Sequence, residues 1–256
     1  MTTARPGGLT LYLPLLIKGD YQPLLDLFAG APLIDDPRLG RIADTDGFKQ
    51  FVAASHKWLT QRRASIEPIA ATQTDTRAVE ECVLHLVQDG AAIPLPVAIV
   101  SDIARGLLTF ARVYHSMWPL LGAHVVRPPL LPNIPGLVMP DVIAHYQNAL
   151  AKGDLEAILR TFEPDGIARE PSGGKYIYRG IMELRRFYGM LFANSGGIPL
   201  EHCSVTDDRV RCAVEYNAIQ WGRTKLPPQA GVAVYERGRS GLLAAARIYD
   251  DVDPPQ

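Results

Sequence analysis

The chain has 256 residues, 47% of them hydrophobic and 21% charged, with a formal net charge of -1 at pH 7. This is ordinary globular material, which excludes a disordered or low-complexity chain and gives no basic footprint for nucleic acid or an anionic membrane. No apolar stretch approaches the roughly 20 residues that cross a bilayer, so the expected partner is a small, fairly neutral molecule met by one or two domains.

The first residues, Met1 to Gly8, lead into a short apolar run broken by Pro14, which lacks the shape of a secretory signal. Tyr12 stands just ahead of Pro14, which either starts the first helix or distorts it. From there the chain says nearly the same thing twice. Gly19-Asp20 recurs as Gly153-Asp154, Phe28 as Phe162, Asp36-Pro37 as Glu170-Pro171 and Glu67 as Glu201, each 134 residues on. Gly106-Leu107-Leu108 with Arg112 and Tyr114 recurs as Gly241-Leu242-Leu243 with Arg247 and Tyr249, at an offset of 135. Such a period is too long for a solenoid and suits a duplicated domain. The expected organisation is a first domain over 1–126, a Pro-rich linker over 127–140 and a second domain over 141–256.

In the linker, proline prevents both helix continuation and sheet pairing, and Leu130, Leu131, Ile134 and Leu137 predict that it lies against the domains. In the second copy, Asp141 opens a helix whose apolar face is Val142, Ile143, Tyr146, Ala149 and Leu150. Lys152-Gly153-Asp154 stops it and starts another, with glycine in the left-handed position and aspartate as cap. An extended piece through Ile167 and Ala168 reaches Glu170, where Pro171 begins a Gly-rich loop. A third helix runs from Ile181 to Phe192. Strands follow at Val205–Asp208, Val210–Trp221, Ala230–Arg237 and Leu242–Asp250, with turns at Asp207-Asp208, at Pro227-Pro228 and over 238–241. Three helices and then strands predict an α+β fold, and the first copy gives the same order less clearly. Cys82, Cys203 and Cys212 have no CxxC spacing and read as buried free thiols in a reducing cytoplasm.

Tyr146 seven residues before Gly153-Asp154, with Phe162 and the acid-Pro step Glu170-Pro171, resembles the ketosteroid-isomerase and SnoaL-like enzymes of the NTF2-like superfamily. The resemblance implies two tandem cone-shaped domains, each of three helices packed in a curved antiparallel sheet around an apolar pocket. It also implies that Tyr146 donates a hydrogen bond and Glu170 acts as base, with Tyr12 and Asp36 at the same spacings in the first copy. One departure stands out: that family carries a protonated aspartic acid on a late strand, and here the stretch Gln229-Ala230-Gly231-Val232-Ala233 holds no carboxyl group. Both copies instead carry a further acid, so that Asp36 with Glu67 and Glu170 with Glu201 stand 31 residues apart.

A tandem chain with an acid pair per domain resembles the epoxide hydrolases of polyether ionophore biosynthesis, of the lasalocid and monensin type. That resemblance implies an epoxide-opening cyclase that forms cyclic ethers from a linear hydroxy-polyepoxide polyketide. Asp36 and Glu170 would be bases, Glu67 and Glu201 acids, and Tyr12, Tyr146 or Tyr249 would hold the epoxide oxygen. Two carboxyl groups can fill opposite roles only if their surroundings push their proton affinities apart, which an apolar pocket does. The alternatives are a SnoaL-like or ketosteroid-isomerase-like isomerase or aldol cyclase, and a non-catalytic polyketide or lipid binder. An aldol cyclase would want a His-Asp arrangement; His85 and His202 read instead as satisfied strand residues, and Asp250-Asp251 as a solvated end. No cofactor or metal is expected, because the histidines lack metal spacing and Gly173-Gly174-Lys175 lacks the rest of a phosphate loop. The partner expected is a small apolar polyketide-like substrate, with no nucleic acid and no membrane, in a cytoplasmic protein compatible with a homodimer.

Overall fold

The structure is a computed structural model that describes residues 11–172 and 176–255. Residues 1–8 and the Gly173-Gly174-Lys175 part of the glycine-rich loop lie outside the described residues. The chain divides into two compact units, the first ending at His115 and the second beginning at Ser116. Residues 116–140, which include the Pro-rich segment, thus belong to the second unit.

The first unit runs α1 (Tyr12–Lys18), α2 (Tyr21–Leu25), β1 (Ile34–Asp36), β2 (Gly40–Ile42), α3 (Thr45–Gln61), β3 (Ser65–Gln73), β4 (Arg77–Gln88), β5 (Ala91–Ala104) and β6 (Leu107–Tyr114). The second runs α4 (Trp118–Leu121), α5 (Asp141–Lys152), α6 (Leu155–Leu159), β7 (Phe162–Arg169), β8 (Ile177–Arg179), α7 (Gly180–Leu191), β9 (Leu200–Asp207), β10 (Arg211–Trp221), β11 (Thr224–Arg237) and β12 (Leu243–Tyr249). Each unit holds one six-stranded sheet, ordered β2-β1-β6-β5-β4-β3 and β8-β7-β12-β11-β10-β9. Neighbouring strands are antiparallel except β1 with β6 and β7 with β12, which are parallel. The sheets are therefore mixed at one pair each, because the chain crosses the whole sheet before its last strand returns beside the first. The same α+β arrangement thus occurs once per unit, as the tandem reading of the sequence expects.

The second unit shows why its residues take these forms. α5 buries Val142, Ile143, Tyr146, Ala149 and Leu150 on one face, and each large side chain so removed from water contributes roughly 1.5–3 kcal/mol. Gly153, at φ +70°, ends that helix by donating its N–H to Leu150 O, and the Asp154 carboxylate accepts from Ala157 N–H at 2.9 Å to cap α6. The buried side chains of α5, α6 and α7 form one core with Cys212, Val214 and Tyr216 of β10, Ala233 and Tyr235 of β11, and Ala246 of β12. Pro14 sits in the first turn of α1, where its missing N–H is not needed.

One expectation for the strands changes. Pro227 and Pro228 lie inside β11 and do not make a turn, where the β10–β11 register shifts between Ala218 and Gln220 and the ladder does not call on their missing N–H groups. The repeat of Arg112 and Arg247 also gains a reason. In the first unit Arg77 Nε and Arg112 Nη1 each lie 2.7 Å from the Asp102 carboxylate. Arg211 and Arg247 hold Glu236 in the second unit, at 3.4 and 3.1 Å. The same three strand positions carry an Arg-acid-Arg triad in both units, so this part of the repeat is structural.

The Pro-rich segment lies against the second unit, as its apolar residues predict. Ile134 donates its N–H to His202 O at 2.8 Å, Arg127 O accepts from Ala230 N–H at 2.9 Å, and Leu131 O accepts from Asn217 Nδ2 at 3.3 Å. Among the described residues no helix is long and apolar enough to cross a membrane. The three cysteines are buried and unbridged, and burial pushes the Cys203 and Cys212 thiols up to about 11 and about 12.

Candidate active site

The second unit encloses a cavity of about 150 Å³ within some 880 Å³ of empty space that opens to solvent. Its walls are mostly apolar and aromatic, with Tyr146 from α5, Phe187 and Tyr188 from α7, Tyr216 and Trp221 from β10, and Tyr235 from β11. These rings pack on one another, with Tyr146 5.0 Å from Tyr235 and 6.2 Å from Tyr188 between centroids. The Trp221 indole is pinned by a 2.7 Å hydrogen bond from Nε1 to Leu191 O. Among the polar groups that line the cavity are Glu170, Asp250 and His124.

Each carboxyl group is held by a tyrosine. Tyr178 donates to Glu170 Oε1 at 2.6 Å, and its ring stacks on Phe187 at 4.4 Å. Burial raises the Glu170 carboxyl above its ordinary value, against the Tyr178 hydrogen bond and a lesser electrostatic influence of His124. Tyr216 donates to Asp250 Oδ2 at 2.6 Å. Burial pushes Asp250 up to about 6, opposed by the Tyr216 hydroxyl and the Val252 amide, with Asp251 adding a little and His124 subtracting. The Tyr146 hydroxyl shares a 2.8 Å hydrogen bond with Tyr188, and burial pushes its phenol up to about 12, so both remain neutral groups.

His124 is oriented from behind. Asp251, 5% exposed, accepts at Oδ1 from Ser116 Oγ (2.6 Å) and His124 Nδ1 (2.9 Å), and at Oδ2 from the N–H groups of Met117 (2.9 Å) and Val125 (2.7 Å). A carboxylate that accepts from three other donors fixes the proton on Nδ1 and leaves Nε2 as the imidazole's acceptor. The ring packs against Trp118 at 4.8 Å. The sequence presents Asp250-Asp251 as a solvated end, which the structure corrects: Asp250 lines the cavity and Asp251 is buried. His85 and His202, read as satisfied strand residues, pair with Glu67 and Gln147, and a His-Asp pair forms instead between His124 and Asp251.

The remaining site expectations fall unevenly. Tyr146 and Glu170 both line the cavity. Glu201 does not join Glu170. It pairs in register with Asn217, whereas its neighbour Leu200 pairs with Ala218, and Leu200 and Ala218 are the cavity residues. Side chains alternate across a strand, so Glu201 points to the opposite face. Tyr249 likewise alternates with the cavity residues Ile248 and Asp250, and Arg169 lies over its ring at 4.8 Å. In the first unit, Asp36 is buried and accepts at Oδ1 from the N–H groups of Arg38 and Leu39. Glu67 is 64% exposed and paired with His85 at 2.7 Å on the outside of the sheet. Neither 31-residue acid pair converges. His202 reaches Gln147 Oε1 at 3.2 Å, and Gln147 in turn donates to the Tyr235 hydroxyl at 2.7 Å.

Gln229–Ala233 holds no carboxyl group, but Asp250, just past the end of β12, lies beside Gly231 of that stretch. A Cβ on Gly231 would come within 2.6 Å of the Tyr216 ring and 2.8 Å of Asp250 Cβ, so glycine lets the Tyr216–Asp250 pair lie flat against β11. Gly231→Ala is therefore expected to push Tyr216 off Asp250, lowering turnover at least tenfold with a small loss of stability, measured by steady-state kinetics beside thermal melting.

The first unit has an equivalent but smaller cavity of about 30 Å³, lined by Tyr12, Asp36, Arg38, Trp58 and His115 among aliphatic side chains. At the offsets of the repeat, His115 stands where the second unit has Asp250 and Arg38 where it has Ser172. Among the described residues no group of three or more His, Cys, Asp or Glu is arranged to hold a metal ion.

Comparison with known proteins places this cavity in context. Residues 142–246 match the SnoaL-like domain family. Among curated proteins, none matches the chain. Solved structures similar to it include a candidate polyketide cyclase from Sinorhizobium meliloti, 20% identical over 43% of this chain and 94% of that one, with a TM-score of 0.37. Another is a candidate polyketide cyclase from Xanthomonas campestris pv. campestris, 20% identical over 45% and 93%, TM-score 0.38. A third is TerC co-crystallised with polyporic acid, 18% identical over 43% and 88%, TM-score 0.37. Each unit thus has an α+β fold of one six-stranded sheet with helices, the two together matching two tandem NTF2-like domains, and residues 142–246 of the second unit carry the match to the SnoaL-like domain.

Proposed function

We propose that the second unit is a cofactor-independent enzyme of the cyclase or isomerase type, moving protons on a small, apolar, polyketide-like substrate. One observation carries the reading: Glu170 and Asp250, both with raised proton affinity, share an aromatic cavity with a histidine tied to Asp251. The SnoaL-like match over residues 142–246 supports it.

At neutral pH Asp250, at about 6, is mostly ionised and accepts a proton from a carbon beside a carbonyl group. The C–H electron pair becomes the enol double bond while the carbonyl oxygen takes a proton or hydrogen bond from Glu170 or Tyr146. Return of the proton to another carbon completes an isomerisation. Attack of the enol carbon on a second carbonyl closes a ring, and the new alkoxide oxygen takes the proton. His124, with its Nδ1 proton committed to Asp251, offers Nε2 as a relay. The aromatic walls exclude water and hold an extended substrate folded, which lowers the entropic barrier to ring closure.

A second reading is epoxide-opening cyclisation, favoured by the same pair of carboxyl groups with Asp250 in place of Glu201. Asp250 would take the hydroxyl proton as the new C–O bond forms and the epoxide C–O bond breaks, and Glu170 would protonate the departing oxygen. A mass-resolved assay in deuterated water, with an aromatic diketone and a long-chain hydroxy-bisepoxide offered separately, tests both. Deuterium beside the ketone, or a ring-closed aldol product, supports the first reading. A cyclic ether of unchanged mass supports the second. Both compounds returned unaltered, while binding in the cavity, would overturn the enzymatic reading in favour of a carrier.

A further inference from the structure

The first unit's cavity is lined by a group that the fold keeps at a cost. Tyr12 is fully buried, and its hydroxyl has no protein hydrogen-bond partner. A buried hydroxyl left in this condition costs stability that phenylalanine would not, so its presence points to a use. Beside it is the Asp36 carboxylate, held in orientation by the Arg38 and Leu39 amides at 2.9 and 3.0 Å. Burial and the neighbouring Asp36 carboxylate keep the Tyr12 phenol well above its ordinary value, so it remains a neutral donor.

The inner space, about 30 Å³, has room for one water-sized group. It lies within some 400 Å³ of empty space that includes open solvent, and Leu13, Leu16, Val97 and Val113 are among its lining residues. Arg38 and Trp58 also line it, with the guanidinium 3.9 Å from the Trp58 ring centre and Arg62 on the same ring system at 4.4 Å. An apolar wall with the unpartnered Tyr12 hydroxyl as donor and the Asp36 carboxylate as acceptor, beside Arg38 and His115, matches a ligand with an apolar body and a terminal hydroxyl.

We propose that this cavity is a second binding site, separate from the cavity of the second unit, for the hydroxyl-bearing end of an apolar aliphatic molecule. The ligand oxygen accepts from the Tyr12 hydroxyl, its proton is donated to Asp36, and its chain lies along the leucine and valine wall beside Arg38 and Trp58. The site does not repeat the other cavity: two carboxyl groups converge there, whereas here the position of Asp250 is taken by His115.

The test uses the full chain with carbon-13 labelled leucine and valine methyl groups, titrated with 1-hexanol and, as control, with hexyl methyl ether, which lacks the donor proton. Saturable shifts at Leu84, Leu95, Val97 and Val113 with the alcohol, and at least threefold weaker binding of the ether, are expected. Tyr12→Phe is expected to weaken alcohol binding about three- to tenfold, the loss of one neutral hydrogen bond. Without ligand the same variant should melt no lower than the parent chain, because it deletes an unpartnered group. Asp36→Asn, whose side-chain oxygen still accepts the two turn amides, should also weaken the alcohol. Equal binding of alcohol and ether, unchanged affinity in Tyr12→Phe, shifts confined to the second unit, or an ordered water that the alcohol does not displace would each overturn the proposal.

Discussion

Asp250→Asn is expected to lower turnover by about 10²–10⁴-fold, the usual contribution of a positioned base, while leaving the protein folded and more stable at neutral pH. Asparagine keeps an oxygen to accept from Tyr216 but cannot take a proton. The stability gain follows from linkage. Burial raises the Asp250 carboxyl from 3.8 to about 6 in the folded chain, so the folded state holds the proton more tightly than the unfolded one. Stability therefore falls as pH rises between those values, and above about 6 the ionised carboxylate costs the fold up to about 3 kcal/mol. Parent and variant should have equal stability near pH 3, with the variant ahead at pH 7–8; denaturant melts at the two pH values give the difference. A variant that loses activity and stability together would mean that Asp250 is a structural residue.

Asp251→Ala should have the larger effect on the fold. It removes one buried carboxylate and with it the acceptor of four hydrogen bonds, from Ser116, Met117, His124 and Val125. A buried donor left unpaired costs roughly 1–3 kcal/mol, so the loss of their shared acceptor is expected to destabilise the fold by several kcal/mol, read by denaturant melts. The segment that carries His124 is then no longer fastened, and the imidazole loses its fixed tautomer. If Asp251 acts on the reaction through His124, then His124→Gln alone should lower turnover to a similar degree at little cost in stability. In the double variant the two losses should not add. Additive losses would show that Asp251 and His124 serve separate purposes.

Much of the architecture is legible because it depends on local rules. The apolar spacing of α5, the left-handed Gly153 and the Asp154 cap are all written within a few residues of one another. The Pro227-Pro228 step was misleading because proline signals a turn only where the chain must reverse, and a register shift inside a strand absorbs it equally well. The acid pairs show a different limit. Equal spacing brought Glu67 and Glu201 to attention, but spacing does not fix the face of a strand, and Glu201 alternates away from the cavity. Parity along β12 did carry a signal for Asp250, which stands two residues past the inward Ile248. His124 and Asp251 are 127 residues apart, and His124 belongs to no repeated motif. Only the folded chain brings those two residues together.

The most direct test of a proton-transferring cavity in the second unit is the rate of deuterium incorporation beside the carbonyl of a bound aromatic ketone, followed across pH 4–9. The parent chain should exchange with a rate that rises through about pH 6, following ionisation of Asp250, and then levels off. In Asp250→Asn both the exchange and the pH step should disappear. Exchange that persists in the variant with the same profile would contradict the assignment of Asp250 as the base.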